Sequence, residues 1–242
     1  MSVGNDVVDL ALPETRLDGL HSRWGERVFC PAEREALDAS PSRHLLHWAL
    51  WAAKESAYKA RKRLEPETVF SPKEFEVELS PLPAAGGVAV GRVVHRGDVF
   101  ELEVRLDGAS VHAVATSEDD AGARVLWNVE RADGDPGVAA RRLAASAIGS
   151  ALGLDPDELR IVGRPPVATL RDRRIELGVS LSHHGRFVAF ACTPPDSAWA
   201  QHAPSPAPAS AGCLYAVRAR TIRSTSQSRT RSRLSIWSMD LA

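Results

Sequence analysis

A helical segment that is apolar on all sides constrains the fold of this chain most strongly. Residues 45–53 read LLHWALWAA and contain no Asp, Glu, Lys or Arg. The helix predicted over about 43–62 therefore lacks a solvent-facing stripe in its first half, which is typical of a helix that other elements cover. With 242 residues, the chain is long enough to build one large core or two smaller ones.

The segments on either side of this helix predict an antiparallel sheet. Residues 2–10 (SVGNDVVDL) are rich in β-branched residues and are interpreted as a strand. Between residues 70 and 117, apolar residues recur at every second position, which is the period of a half-buried strand. The alternating positions are Phe75, Val77 and Leu79, then Phe100, Leu102, Val104 and Leu106, then Val111, Ala113 and Ala115.

A second unit of the same kind follows. It begins with a helix predicted over 137–152 and continues through strands to residue 192. The segments 111–117 (VHAVATS) and 187–193 (FVAFACT) share one alternation of small residues, which favours a duplication; convergence on helix-against-sheet packing is the alternative. The sequence therefore predicts an α+β fold with two similar lobes, each a small antiparallel sheet packed on a long helix, in a pseudo-dimer.

The chain is expected to divide into three segments. Residues 1–120 and 121–194 would form the two lobes. Residues 195–242 are rich in Pro, Ala, Ser and Arg and lack periodic apolar residues, so burial cannot offset the entropy of ordering them. A disordered tail without a catalytic part is expected there.

Charge, hydropathy and cysteine content argue against several classes of protein. A formal net charge of -1 does not suit a nucleic-acid-binding domain. No apolar run approaches the roughly 18 to 20 residues that span a bilayer, and the N-terminus carries acids where a signal peptide needs basic residues. We therefore expect no membrane association and a cytoplasmic location. Cys30, Cys192 and Cys213 have no CxxC spacing and are interpreted as free thiols.

Two acidic residues occupy positions that the apolar pattern assigns to the core. Glu55 and Lys59 continue an apolar stripe of the predicted helix, although an ordinary i, i+4 ion pair would also explain them. Asp6 shares a strand face with Val8, where a turn or cap role is the alternative. Two inward carboxylates without a nearby histidine or thiolate favour Mg²⁺, which completes its shell with substrate phosphates. Asp9 would point to the opposite face unless the strand ends or bulges.

The acidic residues lie in two recognisable motifs. GNDVVDL at 4–10 and WAAKESAYKA at 51–60 resemble the two signatures of the 4'-phosphopantetheinyl transferase superfamily, and RVFCPAEREAL at 27–37 is similar to the segment between them. The resemblance implies a holo-acyl-carrier-protein synthase type of transferase. Such an enzyme moves 4'-phosphopantetheine from coenzyme A to a serine of an acyl, polyketide or peptidyl carrier protein and releases 3',5'-ADP.

The resemblance also implies roles for individual residues. Asp6, Glu55 and Asp9 would coordinate Mg²⁺, which makes 1–120 the magnesium-binding catalytic lobe. Glu55 would accept the serine proton. Lys59 would contact the diphosphate or position Glu55, and Lys54 is placed with the coenzyme-binding residues.

Two further elements are similar to the coenzyme-binding lobe of the larger two-lobed members of the family. They are GRPPV at 163–167 and VSLSHHGRFVAFA at 179–191. The resemblance implies that Arg164, Ser182 and His183 bind coenzyme A phosphates and that 121–194 is the coenzyme A-binding lobe. The order of the lobes is exchanged, because the catalytic lobe comes first here. An ordinary histidine pair at a strand end is the alternative for His183.

Other functions remain open from the sequence. A module of the same fold could bind a carrier protein or coenzyme A without catalysis, and the Arg-rich stretch 218–233 could bind nucleic acid. A serine hydrolase built on Ser182 and His183 is disfavoured, because adjacent strand residues point to opposite faces. A monomer is expected, since the pseudo-dimer is internal, and no nucleic-acid partner is expected.

Overall fold

A computed structural model describes residues 2–83, 86–120, 123–155 and 157–193, together with the backbone of 215–217. Within these residues, four α-helices are α1 (Trp24–Val28), α2 (Pro31–Ala39), α3 (Arg43–Leu64) and α4 (Pro136–Leu152). The strands of the first lobe are β1 (Val3–Asp9), β2 (Glu76–Leu79), β3 (Gly87–His95), β4 (Asp98–Leu106) and β5 (Ser110–Ser117). Those of the second lobe are β6 (Val125–Arg131), β7 (Leu159–Val162), β8 (Val167–Leu170), β9 (Arg173–Arg174), β10 (Gly178–His184), β11 (Phe187–Thr193) and β12 (Tyr215–Val217).

The first lobe is a five-stranded antiparallel sheet in the order β1-β5-β4-β3-β2, with α3 packed across one face. The predicted helix is confirmed and extends to Leu64. Small residues let the helix approach the sheet closely. At Gly4, for example, a Cβ atom would collide with the backbone carbonyl oxygen of Ser56. The glycine that opens the first motif is therefore required by packing.

The second lobe repeats this plan with a smaller sheet in the order β10-β11-β6-β12 against α4. A separate sheet, β7-β8-β9, lies beside it. Asp135 caps the start of α4, where its side chain accepts a hydrogen bond from the Val138 amide at 2.9 Å, and Gly153 caps the end in the left-handed conformation. The predicted α+β class, with a sheet on a long helix in each lobe, is confirmed.

The two similar strands noticed in the sequence do not occupy equivalent faces. In β5, Ala113 and Ala115 pack towards α3. In β11, the corresponding Ala189 and Ala191 face the first lobe, and Phe190 packs towards α4 instead. The sequence alignment of the two strands is therefore shifted by one residue relative to their structural faces. A shift of one residue moves every side chain of a strand to the opposite face. This pair of strands does not support the duplication that their sequences suggested.

The lobes join where the free face of β1 meets the second sheet. Apolar residues from both lobes form two clusters there: Val3, Val114, Val125, Trp127 and Ala191, and Val7, Phe187 and Ala189. The side chains of β1 alternate between this interface and α3, so each lies either against the second lobe or inside the first.

The remaining predictions about the chain are tested only in part. The boundaries at 120 and 194 stay predictions. Of the predicted tail, the structure describes only β12, which pairs with β6 and so departs from the expected disorder, while 195–214 and 218–242 lie outside the described residues. Cys30 and Cys192 are free, and Cys213 is outside the described part. None of the described helices is long and apolar enough to cross a membrane.

Candidate functional site

The first motif and α3 bring Asp6, Lys59 and Glu55 together. Strand β1 is regular as far as Asp9, so Asp6 faces α3, as its alternation predicts. The Lys59 ammonium donates a hydrogen bond to Asp6 Oδ1 at 2.7 Å and another to the Asn5 carbonyl oxygen at 3.0 Å. Lys59 and Asp6 keep 29% and 14% of their side chains exposed, so the pair is accessible at its edge.

Glu55 lies one helical turn before Lys59 and titrates unusually. Its pKa is raised to about 7, mainly by burial and secondarily by the Asp6 carboxylate, while the Lys59 ammonium partly offsets both effects. Two carboxylates that repel each other in a half-buried position favour a cation between them. The same raised pKa makes Glu55 able to accept a proton near neutral pH.

The donor set fits Mg²⁺ if substrate oxygens complete it. Among the residues that the structure describes, no three His, Cys, Asp or Glu side chains converge to hold a metal unaided. Asp6 and Glu55 supply two carboxylates, and Mg²⁺ is commonly held by one or two carboxylates, waters and substrate phosphates. These two residues fit such an ion, whereas the expected third ligand does not.

Asp9 corrects the predicted metal set. Its side chain points away from Asp6, is fully buried, and accepts two hydrogen bonds from the Arg186 guanidinium at 2.7 and 2.8 Å. The Ala11 and Arg186 amides donate to the same carboxylate. The side-chain hydrogen bond from Arg186 is the main reason that the pKa of Asp9 lies well below its usual range. With both oxygens engaged in this way, Asp9 is an ion-pair partner and not a metal ligand.

Lys54 corrects the predicted coenzyme-binding set. Its side chain is fully buried, and its ammonium donates to Glu33 Oε1 at 2.8 Å and to the carbonyl oxygens of Pro72 and Phe75 at 3.0 and 2.6 Å. A lysine has three donors, and all three are used. Lys54 therefore ties α2 and the segment before β2 to α3 and cannot reach a ligand. The sequence analysis missed Glu33, although its position three residues into α2 is that of a capping glutamate.

A cavity of about 260 Å³ in the second lobe brings two of the predicted residues together. Arg164 and His183 both line it, at the start of α4. The beginning of a long helix favours anions, and Arg141 adds a second guanidinium. The complete lining is Gly137, Ala140, Arg141, Gly163, Arg164, Pro166, Leu181 and His183.

Ser182 is not part of this cavity. It is 5% exposed and accepts a hydrogen bond from the Asn5 side-chain amide at 2.9 Å across the lobe interface. Leu181 and His183, on either side of it in β10, face the cavity instead. The predicted contact of Ser182 with coenzyme A is wrong in this structure, because strand alternation turns its hydroxyl towards β1. The same alternation separates Ser182 from His183 and disfavours a hydrolase pair.

Arg63, which the sequence analysis missed, links the two parts of the site. It lies four residues after Lys59 on α3 and donates a hydrogen bond to the Pro166 carbonyl oxygen at 3.1 Å. Burial, and secondarily the charge of Arg174, lowers the pKa of its guanidinium. Glu55, Lys59 and Arg63 thus recur at i, i+4 and i+8 and lead from the acids towards the cavity. That spacing was visible in the sequence.

A larger cleft of about 440 Å³ lies elsewhere on the second lobe, between the end of β6 and α4. Its charged lining is mixed, with Glu130 and Asp133 beside Arg131 and Arg142. None of the predicted site residues borders it. The smaller cavity is the better candidate for an anionic ligand because only basic charged groups line it.

Comparison with known families concerns the first lobe. Residues 2–90 match the model of the 4'-phosphopantetheinyl transferase superfamily. The resemblance read from the two motifs is confirmed here. The matched residues include Asp6, Glu55 and Lys59. Arg164 and His183 lie beyond them, so their roles stay predictions.

Similar proteins cover only parts of the chain. Pup–protein ligases of Bifidobacterium longum strains DJO10A and NCC 2705 are each 34% identical over 97 residues, which is 40% of this chain. The chain spans 18% of the length of these relatives. Among solved structures, Thermotoga maritima holo-[acyl-carrier-protein] synthase is 18% identical with a TM-score of 0.35, covering 57% of this chain and 71% of that one. A Chronobacterium ammoniagenes ACPS–CoA complex is 18% identical with a TM-score of 0.28, covering 79% and 93%.

Proposed function

We propose that this protein transfers 4'-phosphopantetheine from coenzyme A to a serine of a carrier protein and releases 3',5'-ADP. The observation that carries the proposal is the cluster of Asp6, Glu55 and Lys59 within the residues that match the transferase family. A holo-acyl-carrier-protein synthase type of activity on a fatty-acid, polyketide or nonribosomal-peptide carrier is the specific form proposed. A cytoplasmic location and a monomeric state belong to the same proposal.

The charges of coenzyme A match the distribution of groups in the two lobes. Its diphosphate would lie near Lys59, whose side chain is partly exposed beside the two carboxylates. Its 3'-phosphate would enter the cavity with Arg164, His183 and Arg141 at the start of α4. Arg63 lies between these positions. A substrate with two separate anionic groups is therefore a better match than a single phosphate.

The transfer is a substitution at phosphorus. The serine oxygen attacks the phosphorus that carries pantetheine, and the bond from that phosphorus to the bridging oxygen breaks, so the electron pair leaves with 3',5'-ADP. Glu55 accepts the serine proton, which its pKa of about 7 allows. Lys59 holds Asp6 in place and adds positive charge beside the diphosphate. Asp6 and Glu55 would hold Mg²⁺, which neutralises charge on the diphosphate when bound.

Intact-mass spectrometry of several apo carrier proteins tests the proposal. Incubation with the protein, coenzyme A and Mg²⁺ should add about 340 Da to a carrier, and a chelator should prevent the gain. Glu55→Gln should lower the rate by roughly a hundredfold or more. Arg142→Gln, in the larger cleft, serves as the matched control and should leave the rate unchanged.

A non-catalytic module that binds coenzyme A or a carrier protein is the second candidate. The observation behind it is the engagement of Asp9 by Arg186, which leaves two acids for a metal where the family resemblance implies three. Coenzyme A binding by the wild-type protein without a mass gain on any carrier would support this candidate and contradict transfer. Nucleic-acid binding by 218–233 concerns residues outside the described part, and deletion of residues after 195 separates it from transfer.

A further inference from the structure

We propose that the Asp9–Arg186 ion pair is a positioning device that sets Asp6 of the first lobe at the correct place relative to the cavity of Arg164 and His183. The inference rests on the proposed function to the extent that the substrate spans both lobes. It assigns Asp9 and Arg186 to the interface and not to metal or substrate binding.

The turn between β10 and β11 encloses the Asp9 carboxylate. Arg186 contributes two side-chain hydrogen bonds and its backbone amide, the latter at 3.1 Å. Gly185 lies against the carboxylate with φ of 55°, and a Cβ atom there would come within 2.7 Å of Asp9 Oδ2. The contact is directional, because a bidentate guanidinium fixes the plane of its partner.

Three more contacts align β10 with β1 along their length. Ser180 Oγ accepts from the Asn5 amide at 3.0 Å, Ser182 Oγ accepts from the Asn5 side chain at 2.9 Å, and His184 Nδ1 accepts from the Asp9 amide at 3.0 Å. These side chains are all at even positions of β10, which face the first lobe. The Asp9–Arg186 pair continues the row at its end and is its only contact between opposite charges.

The opposite faces of the same two strands carry the site. Strand β1 places Asp6 towards α3 and Lys59, while β10 places His183 in the second-lobe cavity. The distance between the metal acids and the cavity is therefore set by how β1 and β10 are aligned. One residue of slippage moves a strand by about 3.3 Å. A displacement of about 1 Å is enough to cost a hundredfold in rate for a substrate held at two points.

The role of the Asp9–Arg186 pair is tested by comparing a ligand that would contact both lobes with ligands that would contact one lobe each. The variants are Asp9→Asn, Arg186→Gln and the double substitution, in the full chain. Calorimetry measures coenzyme A with Mg²⁺, which would span both lobes, and adenosine 3'-monophosphate alone, which carries only the phosphate assigned to the cavity. Electron paramagnetic resonance measures Mn²⁺ alone, in place of Mg²⁺, at the two acids.

We expect coenzyme A with Mg²⁺ to bind about tenfold more weakly in all three variants, with no additional loss in the double variant. Affinities for Mn²⁺ alone and for adenosine 3'-monophosphate alone should change by less than about twofold, since each of these ligands would touch one lobe. Arg131→Gln is the control. Arg131 lies over the same Phe187 ring as Arg186, but the ion pair with Asp9 is formed by Arg186.

Two results would overturn the inference. Weaker Mn²⁺ binding in Asp9→Asn together with tighter binding in Arg186→Gln would make Asp9 a metal ligand that Arg186 masks. Unchanged coenzyme A affinity in all three folded variants would make the pair a passive contact. Wild-type protein that binds coenzyme A but transfers nothing counts against the proposed function alone, because the readout of this experiment is binding.

Discussion

The surroundings of individual side chains differ even between adjacent residues. Lys54 and Glu55 are neighbours in one motif, yet Lys54 is enclosed by Glu33 and two carbonyl oxygens while Glu55 remains accessible beside Asp6. A step of one residue turns a helical side chain by about 100°. This rotation is enough to bury the Lys54 ammonium and to leave the Glu55 carboxylate partly accessible. The residue type alone did not reveal this difference.

Lys54→Met should destabilise the protein by about 3 to 5 kcal/mol, because Glu33 would remain buried without its partner. Urea unfolding measures the loss. Lys62→Met on the same helix, where the lysine is exposed, should cost about 1 kcal/mol or less. The coenzyme A affinity of folded Lys54→Met should equal that of the wild type, and a large loss of affinity at unchanged stability would restore a coenzyme-binding role.

His47 makes the protein sensitive to acid. Burial lowers the pKa of His47 to about 4, and its ring stacks on Trp24. A histidine with a lowered pKa in the folded state contributes stability above pH 6.5 and loses it as pH falls, which amounts to about 2 kcal/mol at pH 5. Burial lowers the pKa of His112 to about 3, so it should add a similar loss. Urea unfolding at pH 7 and pH 5 measures the sum.

His47→Phe provides the control for this acid sensitivity. The Nε2 atom of His47 is buried without a hydrogen-bond partner, so a phenyl ring sacrifices no polar contact there. The difference in stability between pH 7 and pH 5 should shrink by about 2 kcal/mol in this variant. An unchanged difference would mean that His47 is protonated in the folded protein at pH 5.

At the scale of elements, the periodicity of the sequence located α3, α4 and most of the strands, but β6 and β12 of the second sheet were not predicted. Alternation in β1 also predicted that Asp6 and Asp9 face opposite sides, and the regular strand confirms it. The sequence likeness of β5 and β11 wrongly suggested that their alanines face equivalent surfaces. Small residues suit both a surface that faces a helix and one that faces the other lobe. Local pattern therefore identified elements better than it identified which face each element buries.

Gly4→Ala tests the close approach of β1 to α3. The added methyl group would meet backbone atoms of Ser56 and Ala60, which cannot rotate away. We expect a loss of about 1 to 3 kcal/mol or more in unfolding free energy, together with weaker Mg²⁺-dependent activity, because β1 also carries Asp6. Gly25→Ala in α1 is the matched control, since nothing lies within 4 Å of its added carbon. Equal stability in the two variants would contradict this packing argument.

At the scale of the whole molecule, the candidate site belongs to neither lobe alone. The acids and Lys59 come from the first lobe, and the basic cavity from the second, with Arg63 bridging to Pro166. The interface of β1 with β10 and β11 holds these parts together. Under the proposed function, coenzyme A, a long substrate with two separate anionic groups, would lie across both lobes.

Transfer across the lobes should depend on pH through Glu55. Because the pKa of Glu55 is raised to about 7, the carboxylate is mostly protonated below that pH and can neither hold a cation nor accept the serine proton. The value of kcat/KM should fall about tenfold per pH unit below pH 6. Arg142→Gln should reproduce the wild-type profile. A flat profile between pH 5 and pH 8 would exclude Glu55 from both roles.

The sequence by itself determined most of the elements, the α+β class and the two motifs that carry Asp6, Glu55 and Lys59. It could do so because helical and strand periods are local, and because these residues fall within one strand and one helix. The tertiary structure alone decided that Asp9 pairs with Arg186, 177 residues away, and that Ser182 faces Asn5. It also enclosed Lys54 with Glu33. Such pairings depend on which surfaces meet after folding, and no local period encodes that.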